Sequence, residues 1–402
     1  MATINKIPNC PPLRFPDFND DWTQCCISDY GDIVTGSTPS TSDPENYQEN
    51  GFLWASPADI NESKFIEATK TTLSLKGFNS TRKLPPYTVL VVCIGSTIGK
   101  MAMSKTVMAT NQQINSIVVC EKYSPEFVYY AIDSRFPQYL TSVAVQAVPI
   151  ISKSTFGALE SCAPSLTEQK KIADFLSLID EHIANLSETI KELKTQKAGL
   201  LNQLFSQKLR FPDFNDDWTQ CFVSDFGQVV TGSTPPTSDS CNYDASDYLW
   251  ASPSDLGQTK YIRKTKTMLS SKGFSLTRSL PLGSVLVSCI GIIGKVGVAV
   301  TEMSTNQQIN AIIPNQSKVN SEYLYYAILN KSLAYSRLSA TQVVPILSKR
   351  EFERMRNQYP SLAEQKKIAD FLSLIDERIE VEEQLLKKYE EQKKYLLRKM
   401  FV

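Results

Sequence analysis

Histidine is almost absent from the 402-residue sequence, which contains only His182. Because histidine is the usual general base beside a Ser or Cys nucleophile, catalysis of that kind has little support. Cysteine occurs nine times, an odd number, and no two cysteines have the C-x-x-C spacing. The sequence therefore favours reduced thiols in a cell interior over a disulfide framework or a zinc site.

Long apolar runs are also missing. The longest, Val89–Ile94, spans six residues, whereas a membrane-spanning helix needs about 20. The first ten residues, MATINKIPNC, contain no apolar segment typical of a signal peptide. We expect a cytoplasmic protein that does not bind a membrane.

Motifs of cofactor chemistry are absent or incomplete. There is no G-x-G-x-x-G fingerprint and no N-P-P-[FY] or D-P-P-Y motif of base methylation. The loop Gly95–Lys100, GSTIGK, is one residue shorter than G-x-x-x-x-G-K-[ST] and lacks the final Ser or Thr. We therefore expect no catalytic residue, no metal site and no cofactor in this chain.

A tandem repeat is the dominant feature of what is present. The segment LRFPDFNDDWTQC occurs at Leu13–Cys25 and again, unchanged, at Leu209–Cys221. Ser165–Ile183 recurs at Ser361–Ile379 with the same offset of 196 residues. Aligning residues 13–95 with residues 209–291 gives 53 identities in 83 positions. The two halves are thus two copies of one fold, with a period far longer than the units of a solenoid.

Each copy ends in a predicted long helix. The helix follows Pro164 or Pro360 and opens with Ser and Glu three residues apart, the pattern of a capping box. Apolar residues then recur at alternating steps of four and three, which is typical of a coiled coil. The two predicted seams consist of Ile172, Leu176, Ile179, Ile183, Leu186, Ile190 and Leu193, and of Ile368, Leu372, Ile375, Ile379, Leu386 and Tyr389. The second seam is poorer because Glu382 replaces Leu186, and both seams place a lysine, Lys197 or Lys393, in the same layer.

The predicted fold is α/β (α+β), because short β-branched runs alternate with turn-rich segments and some helix before each long helix. Two tandem globes alternate with two long helices that form an antiparallel coiled coil, with pseudo-twofold symmetry. The alternative is that the long helices dimerise two chains. The predicted divisions are an N-terminal segment 1–12, a first globe 13–164, a central helix 165–208, a second globe 209–360 and a C-terminal helix 361–402.

Charge is balanced overall, with 42 bases and 42 acids, which counts against a simple basic nucleic-acid binder. Within each globe, however, the charges are separated. Residues 13–62 contain ten acids and one base, whereas residues 63–120 contain seven bases and one acid. Residues 209–255 contain eight acids and one base, and residues 256–301 contain seven bases and no acid. A basic face for a polyanion is one interpretation, and pairing of these bases with the acids of the first half is the other.

The basic halves supply the candidate DNA-binding residues. Asn and Gln amides can pair bidentately with adenine, and a glycine-rich loop with a lysine can approach a phosphate. The NQQIN segments are equally compatible with a polar turn before a strand. The candidates are Lys76, Arg82, Lys100, Asn111, Gln112 and Gln113 in the first globe, and Arg263, Lys264, Lys272, Arg278, Lys295, Asn306, Gln307 and Gln308 in the second.

The order of two globes and two long helices resembles the DNA specificity subunit of type I restriction-modification systems. The resemblance covers nearly the whole chain, and its most telling parts are Pro164–Ile183 and Pro360–Ile379. Further motifs similar to the target-recognition domains of that family are TGSTP (Thr35–Pro39, Thr231–Pro235), LWASPxD (Leu53–Asp59, Leu249–Asp255), KGF (Lys76–Phe78, Lys272–Phe274) and NQQIN (Asn111–Asn115, Asn306–Asn310).

The resemblance implies that each globe reads one half of a bipartite double-stranded DNA target while the helices set the spacing. It implies that two methyltransferase subunits, which methylate adenine, dock on the helices, and that motor-nuclease subunits join for restriction. S-adenosylmethionine, ATP and Mg²⁺ are then expected on the partner subunits, and none on this chain.

The two globes are unusually alike for recognition domains, so we predict related, inverted half-sites. They differ at Glu67/Arg263 and Ala68/Lys264, so the half-sites need not be identical. The invariant, acidic Leu13–Cys25 segment is predicted to be a structural joint between globe and helix.

Two other functions compete with DNA recognition. One is a coiled-coil interaction scaffold whose globes do not bind nucleic acid. The other is a self-sufficient nuclease, in which the EQK triplets at Glu168–Lys170 and Glu364–Lys366 would form the last part of a nuclease metal-site motif. Their predicted place in the first turn of a coiled-coil helix counts against the nuclease function.

Overall fold

The computed structural model describes residues 10–61, 63–142, 150–243, 247–338 and 346–402, without the side chains of residues 142 and 333–338. Of the predicted N-terminal segment 1–12, residues 1–9 lie outside the described residues. The chain forms two compact units. The first unit comprises Met1–Glu188 and Glu383–Val402, and the second comprises Thr189–Glu382.

The described part of the first unit contains three sheets. Its strands are β1 (Thr23–Cys26), β2 (Gly31–Thr35), β3 (Tyr47–Ala55), β4 (Phe65–Ile66), β5 (Thr72–Leu73), β6 (Val89–Val92), β7 (Met101–Ser104), β8 (Ala109–Thr110), β9 (Ile114–Val119) and β10 (Glu160–Ala163). The main sheet has the order β2-β9-β6-β7-β4, a smaller one the order β5-β3-β8, and β1 pairs with β10. Among the strand pairs of the described residues, β4-β7 and β3-β8 are parallel and the others are antiparallel.

The central strand β6 explains why the main sheet is covered on both faces. All four of its residues are buried, and successive side chains of a strand point to opposite faces. Val89 and Val91 accordingly join one apolar core, and Leu90 and Val92 join another. A continuous apolar run of Val and Leu is typical of such a doubly buried strand.

The helices of the first unit are α1 (Leu75–Asn79), α2 (Pro125–Ser142), α3 (Lys153–Gly157) and the first part of α4 (Leu166–Phe205). Helix α2 contains the stretch EFVYYAI that the sequence favours as a helix. Phe127 and Tyr130 on this helix are completely buried and pack in the same core as Val89 and Val91.

The second unit repeats this architecture. Its strands are β11 (Thr219–Phe222), β12 (Gly227–Thr231), β13 (Tyr248–Ala251), β14 (Tyr261–Ile262), β15 (Thr267–Leu269), β16 (Val285–Ser288), β17 (Val296–Ala299), β18 (Ser304–Thr305), β19 (Ile309–Pro314) and β20 (Arg356–Tyr359). Its helices are α5 (Ser271–Ser275), α6 (Ser321–Leu338), α7 (Lys349–Glu353) and the first part of α8 (Leu362–Met400). The strand orders β12-β19-β16-β17-β14 and β15-β13-β18 match those of the first unit.

Each unit contains one part of α4 and one part of α8, packed together. In the first unit, Asp180 contacts Lys393 and His182 stacks on Tyr389, so the residue numbers run in opposite directions along the two helices. In the second unit, the ion pair of Lys197 with Asp376 repeats the first contact. The prediction of an antiparallel, intramolecular helix pair is confirmed within each unit.

The apolar seam merges with the cores of the globes. In the first unit, Ile172, Leu176 and Ile179 share a core with Leu396 and Met400. The N-terminal turn of α4 differs in detail from the predicted capping box. The Ser165 hydroxyl accepts the Glu168 backbone N–H at 3.4 Å, but the Glu168 carboxylate binds Arg14.

Candidate nucleic-acid interface

The segment Thr35–Pro39, here called the polar loop, begins at the last residue of β2 and lies against the end of β8 and the start of β9. The Ser37 backbone N–H donates to the Thr110 carbonyl at 2.8 Å, and the Trp54 indole N–H donates to the Ser37 carbonyl at 3.0 Å. At Gly36 a Cβ atom would lie only 2.1 Å from the carbonyl oxygen of Asn111. Glycine is therefore required, because no larger residue permits this backbone approach.

Three exposed polar side chains meet at the polar loop. The Thr38 hydroxyl donates to Oε1 of Gln112 at 2.5 Å. The Arg82 guanidinium donates through Nη1 to the carbonyls of Thr35 at 2.5 Å and Gly36 at 3.2 Å. Arg82, Gln112 and Thr38 are all exposed. An arginine and an amide held in place on one surface are suited to contact a phosphate or a base edge.

The second unit contains the same arrangement. Thr234 donates to Oε1 of Gln307 at 2.5 Å, and Nη1 of Arg278 donates to the Thr231 carbonyl at 2.6 Å. A Cβ atom at Gly232 would lie 2.1 Å from the carbonyl oxygen of Asn306. Each globe thus presents one Thr–Gln–Arg cluster: Thr38, Gln112 and Arg82, or Thr234, Gln307 and Arg278.

The other amides of the NQQIN segments have internal partners. Nδ2 of Asn111 donates to Oε1 of Gln113 at 3.0 Å, and the Gln113 side chain donates to the Ile94 carbonyl at 3.3 Å. Asn111 is 7% exposed and its equivalent Asn306, which binds Gln308, is 8% exposed. These four side chains shape the turn before the strand, and the exposed middle glutamine is the one available to an external ligand.

The predicted basic face is partly neutralised by acids of the same globe. Lys76 binds Asp43 at 2.9 Å and Glu45 at 2.6 Å, and Lys272 binds Asp239 at 2.7 Å. The hydrogen bond from Lys76 lowers the pKa of the Asp43 carboxyl. For these two lysines the structure matches the alternative interpretation, in which the basic half pairs with the acidic half.

The glycine-rich loops use part of their backbone internally. The N–H groups of Ile98, Gly99 and Lys100 donate to carbonyls of the loop itself or of β6. The Lys100 ammonium lies 3.5 Å from the Ile60 carbonyl, and Lys295 lies 3.2 Å from the Pro253 carbonyl. The glycine-rich loop predicted to approach a phosphate therefore has fewer backbone N–H groups left for that contact than its sequence implies.

The edge strand β4 and its equivalent β14 precede two positions at which the copies differ in charge, Glu67/Arg263 and Ala68/Lys264. In the first unit, Glu67 forms an ion pair with Lys105. In the second unit, Arg263 contacts Glu380 at 3.5 Å and lies over the Tyr261 ring. Lys264 is exposed. The reversal of charge at this edge is thus accompanied by a change of partner.

The invariant Leu13–Cys25 segment contacts the first turn of α4. Glu168 is 1% exposed and receives hydrogen bonds from Arg14 at 2.7 and 2.8 Å and from the Trp22 indole at 3.4 Å. In the second unit, Glu364 makes the same contacts with Arg210 and Trp218. These contacts support a structural role for the segment. The glutamate of each EQK triplet has the same structural role, because it is the residue that the segment binds.

A partly buried polar cluster, here called the lysine–aspartate hub, was not predicted from the sequence. Its members in the first unit are Lys64, Tyr130, Ser177, Asp180 and Lys393. The equivalents in the second unit are Lys260, Tyr326, Ser373, Asp376 and Lys197. The one sequence feature that pointed to the hub is the lysine, Lys197 or Lys393, that both helix seams place in the same layer.

Among the residues that the structure describes, no group of three or more His, Cys, Asp or Glu side chains is placed to hold a metal ion. Within the same residues, no helix is long and apolar enough to cross a membrane.

Comparison with known proteins identifies relatives of both halves. The family model for the type I restriction modification DNA specificity domain matches residues 19–195 and again residues 215–391. The MjaIX specificity subunit of Methanocaldococcus jannaschii, a type I restriction enzyme subunit, is 35% identical over 41% of this chain and 39% of that protein. The HindI specificity subunit of Haemophilus influenzae is 32% identical over 47% of this chain and 42% of that protein. The matched part of the chain thus spans about two fifths of the length of these two relatives.

Solved structures support the fold. The S subunit of a type I restriction-modification system from M. genitalium superimposes with a TM-score of 0.66 at 15% identity, covering 98% of this chain and 99% of that one. A chain from a structural study of the assembly and conformational transition of the type I R-M system gives a TM-score of 0.59 at 16% identity, covering 94% of this chain and 96% of that one.

Proposed function

Because this chain belongs to the family of type I restriction modification DNA specificity domains, we propose that it is the DNA specificity subunit of a cytoplasmic type I restriction-modification complex. The observation that carries the proposal is that the family domain occurs twice and presents the same exposed Thr–Gln–Arg cluster each time. Each globe reads one half of a bipartite double-stranded target.

The chemistry of the cluster suits DNA. An arginine donates to phosphate oxygens or to guanine, and a glutamine amide pairs with an adenine edge in the major groove. Since Gln112 and Gln307 have the same local partners, the two half-sites share a base feature at the position that these residues contact. Differences between half-sites then come from positions that differ between copies, such as Lys264, which replaces Ala68.

Catalysis is assigned to partner subunits. Two methyltransferase subunits bind S-adenosylmethionine and methylate adenine within the target, and motor-nuclease subunits use ATP and Mg²⁺ for restriction. The role of this chain is to select the DNA and to hold the partners at the selected site.

A duplicated surface on the long helices fits two copies of one methyltransferase subunit. The stretch Glu168–Glu181 is identical to Glu364–Glu377, including its exposed residues. Leu178 is 56% exposed and Leu374 is 65% exposed, although both are apolar. Charged residues flank each leucine on the same face of the helix: Lys170, Asp174 and Glu181, and Lys366, Asp370 and Glu377. A single exposed leucine is ordinary on a protein surface, so the support for this docking surface is its unchanged repetition on both helices.

The proposal is tested by methyl transfer in vitro. The chain is purified with the methyltransferase subunit from the same cell and supplied with labelled S-adenosylmethionine and random-sequence DNA. Methylation of a split adenine-containing motif only when this chain is present supports the proposal. If the proteins co-purify but this chain adds no sequence selectivity, the scaffold function replaces DNA recognition.

A further inference from the structure

The lysine–aspartate hub joins separate parts of the first unit around Asp180 on α4. The Lys64 ammonium donates to the Ser177 hydroxyl at 2.7 Å and to the Tyr130 hydroxyl at 3.2 Å. Tyr130 on α2 donates to Oδ2 of Asp180 at 2.5 Å. Lys393 on α8 binds Oδ1 of the same carboxylate at 2.7 Å. One carboxylate thus connects the globe with both long helices.

The second unit contains an equivalent hub. Lys260 donates to Ser373 at 2.7 Å and to Tyr326 at 3.4 Å. Tyr326 donates to Oδ2 of Asp376 at 2.5 Å, and Lys197 forms an ion pair with Oδ1. The equivalence of all five positions argues that the hub serves a purpose common to both globes.

The hub is partly shielded from water. Tyr130 is completely buried, and Lys393 and Asp180 are 22% and 16% exposed in their side chains. Desolvation lowers the pKa of Lys64, while the charge of Asp180 opposes that shift. Buried ion pairs add little net stability compared with well-packed apolar residues, but they select one geometry because an unpaired partner is costly.

The surrounding seam lacks that selectivity. Leucine and isoleucine contacts are non-directional and tolerate small rotations of one element on another. Hydrogen bonds depend on angle and distance, and a single polar layer can set the register of a helix pair. The hub therefore supplies orientation that the apolar contacts leave open.

A rigid sheet links the hub to the Thr–Gln–Arg cluster. Lys64 directly precedes β4, and its carbonyl accepts the Met103 N–H of β7 at 2.7 Å. The same sheet contains β2 and β9. The polar loop begins at the end of β2, and Gln112 lies two residues before β9. A rotation of the globe at Lys64 moves the cluster as well.

We infer that Asp180 and Asp376 are positioning residues: each fixes, through its hub, the angle of its globe on the helices of the same unit, and thereby the base-pair spacing that the protein accepts between half-sites. The inference rests on the proposed function.

The test replaces Lys393 and Lys197 together by methionine, which keeps most of the unbranched side chain and removes its charge. The variant chain, with the methyltransferase subunit, is offered DNA in which the two half-sites are separated by every spacing around the preferred one. We expect the preference over a spacer one base pair longer or shorter to fall about tenfold, as loss of a charged hydrogen bond predicts. The bases preferred within each half-site stay unchanged.

Two further variants separate orientation from general damage. Lys387→Met removes an exposed lysine of α8 and leaves the spacer preference at the wild-type value. Arginine at both hub positions keeps the charge and restores most of the preference. If the double methionine variant does not fold, the Ser177→Ala and Ser373→Ala double variant is tested instead. It removes one hydroxyl group from each hub.

A folded hub variant with wild-type spacer preference overturns the inference while the proposed function stands. A wild-type chain that directs no methylation to a split motif overturns the proposed function itself. The two failures are therefore distinguishable in one experiment.

Discussion

Arg14 and Glu168 form a bidentate ion pair, in which Nε and Nη2 of the arginine lie 2.7 and 2.8 Å from the two carboxylate oxygens. The glutamate is 1% exposed, and the arginine is 13% exposed. The contact joins the segment that opens the globe to the first turn of α4. It explains why the Leu13–Cys25 segment is repeated, since each globe has the same attachment to a long helix.

Replacement of Arg14 by leucine leaves the buried Glu168 carboxylate without its positively charged partner. We expect the free energy of unfolding to fall by about 3 kcal/mol, the typical cost of breaking a buried ion pair. Urea unfolding followed by circular dichroism measures the loss. Lys171→Met, which removes the exposed ion pair with Asp17, is the control and costs less than about 1 kcal/mol. Equal losses in the two variants would contradict the structural role of Arg14.

Replacement of Gly36 by alanine places a Cβ atom against the Asn111 carbonyl and displaces the polar loop. We expect weaker reading of one half-site and unchanged reading of the other, as measured by methylation of DNA with single half-site substitutions. Gly199→Ala is the matched control, because that Cβ atom meets nothing within 4 Å. On helix propensity, it raises the stability by up to about 1 kcal/mol. Normal reading of both half-sites by Gly36→Ala would show that the loop is not part of the interface.

Gln112→Ala and Gln307→Ala each remove one exposed amide of the Thr–Gln–Arg clusters. We expect each variant to lose about tenfold in discrimination at one base of its own half-site, the usual effect of one good base contact. Competition binding with DNA substituted at each base pair locates the change. A uniform loss of affinity for all sequences would instead assign the amides to the phosphate backbone.

Phe401 packs against Trp22 and Phe127, and its ring centroid lies 6.1 Å from that of Trp22 and 5.5 Å from that of Phe127. Phe205 makes the equivalent contacts with Trp218 and Tyr323 in the second unit. We expect Phe401→Ala to cost about 3 kcal/mol in unfolding free energy, because it empties a core position. Val381→Ala, at a 62% exposed site of α8, is the control and has little effect. A stability loss below about 1 kcal/mol for Phe401→Ala would contradict the observed packing.

Burial raises the pKa of the Cys93 and Cys289 thiols to about 11. Only the thiolate reacts with iodoacetamide, so both thiols stay largely unlabelled at pH 8 in the folded protein. Cys120 and Cys241 are exposed and are labelled first. Mass spectrometry of peptides after a short labelling pulse gives the order. Labelling of Cys93 as fast as Cys120 would show that its core opens readily.

The repeat and the helix pair were predictable because each rests on a local pattern. Thirteen unchanged residues from Leu13 to Cys25 identify the copies, and the spacing from Ile172 onward identifies a seam. Periodicity also places Lys393 and Lys197 at equivalent positions, but it does not reveal their partners. Asp180 and Tyr130 are 50 residues apart, so their contact depends on how the globe packs against the helix.

The candidate interface was less predictable for a related reason. Asn111, Gln112 and Gln113 are equally polar in the sequence, and only the turn geometry decides that the first bonds to the third and the second is exposed. Lys76 likewise counts as a free base until Asp43 is found beside it. Side-chain partners of this kind follow from tertiary packing and not from composition.

Methylome sequencing tests the central claim most directly. Cells that contain the methyltransferase subunit are compared with and without this chain, and every methylated adenine is mapped. The account predicts a new motif of two related, inverted half-sites with a fixed spacing, present only in cells that contain this chain. Production of both proteins as a stable complex without any new methylated motif would contradict it.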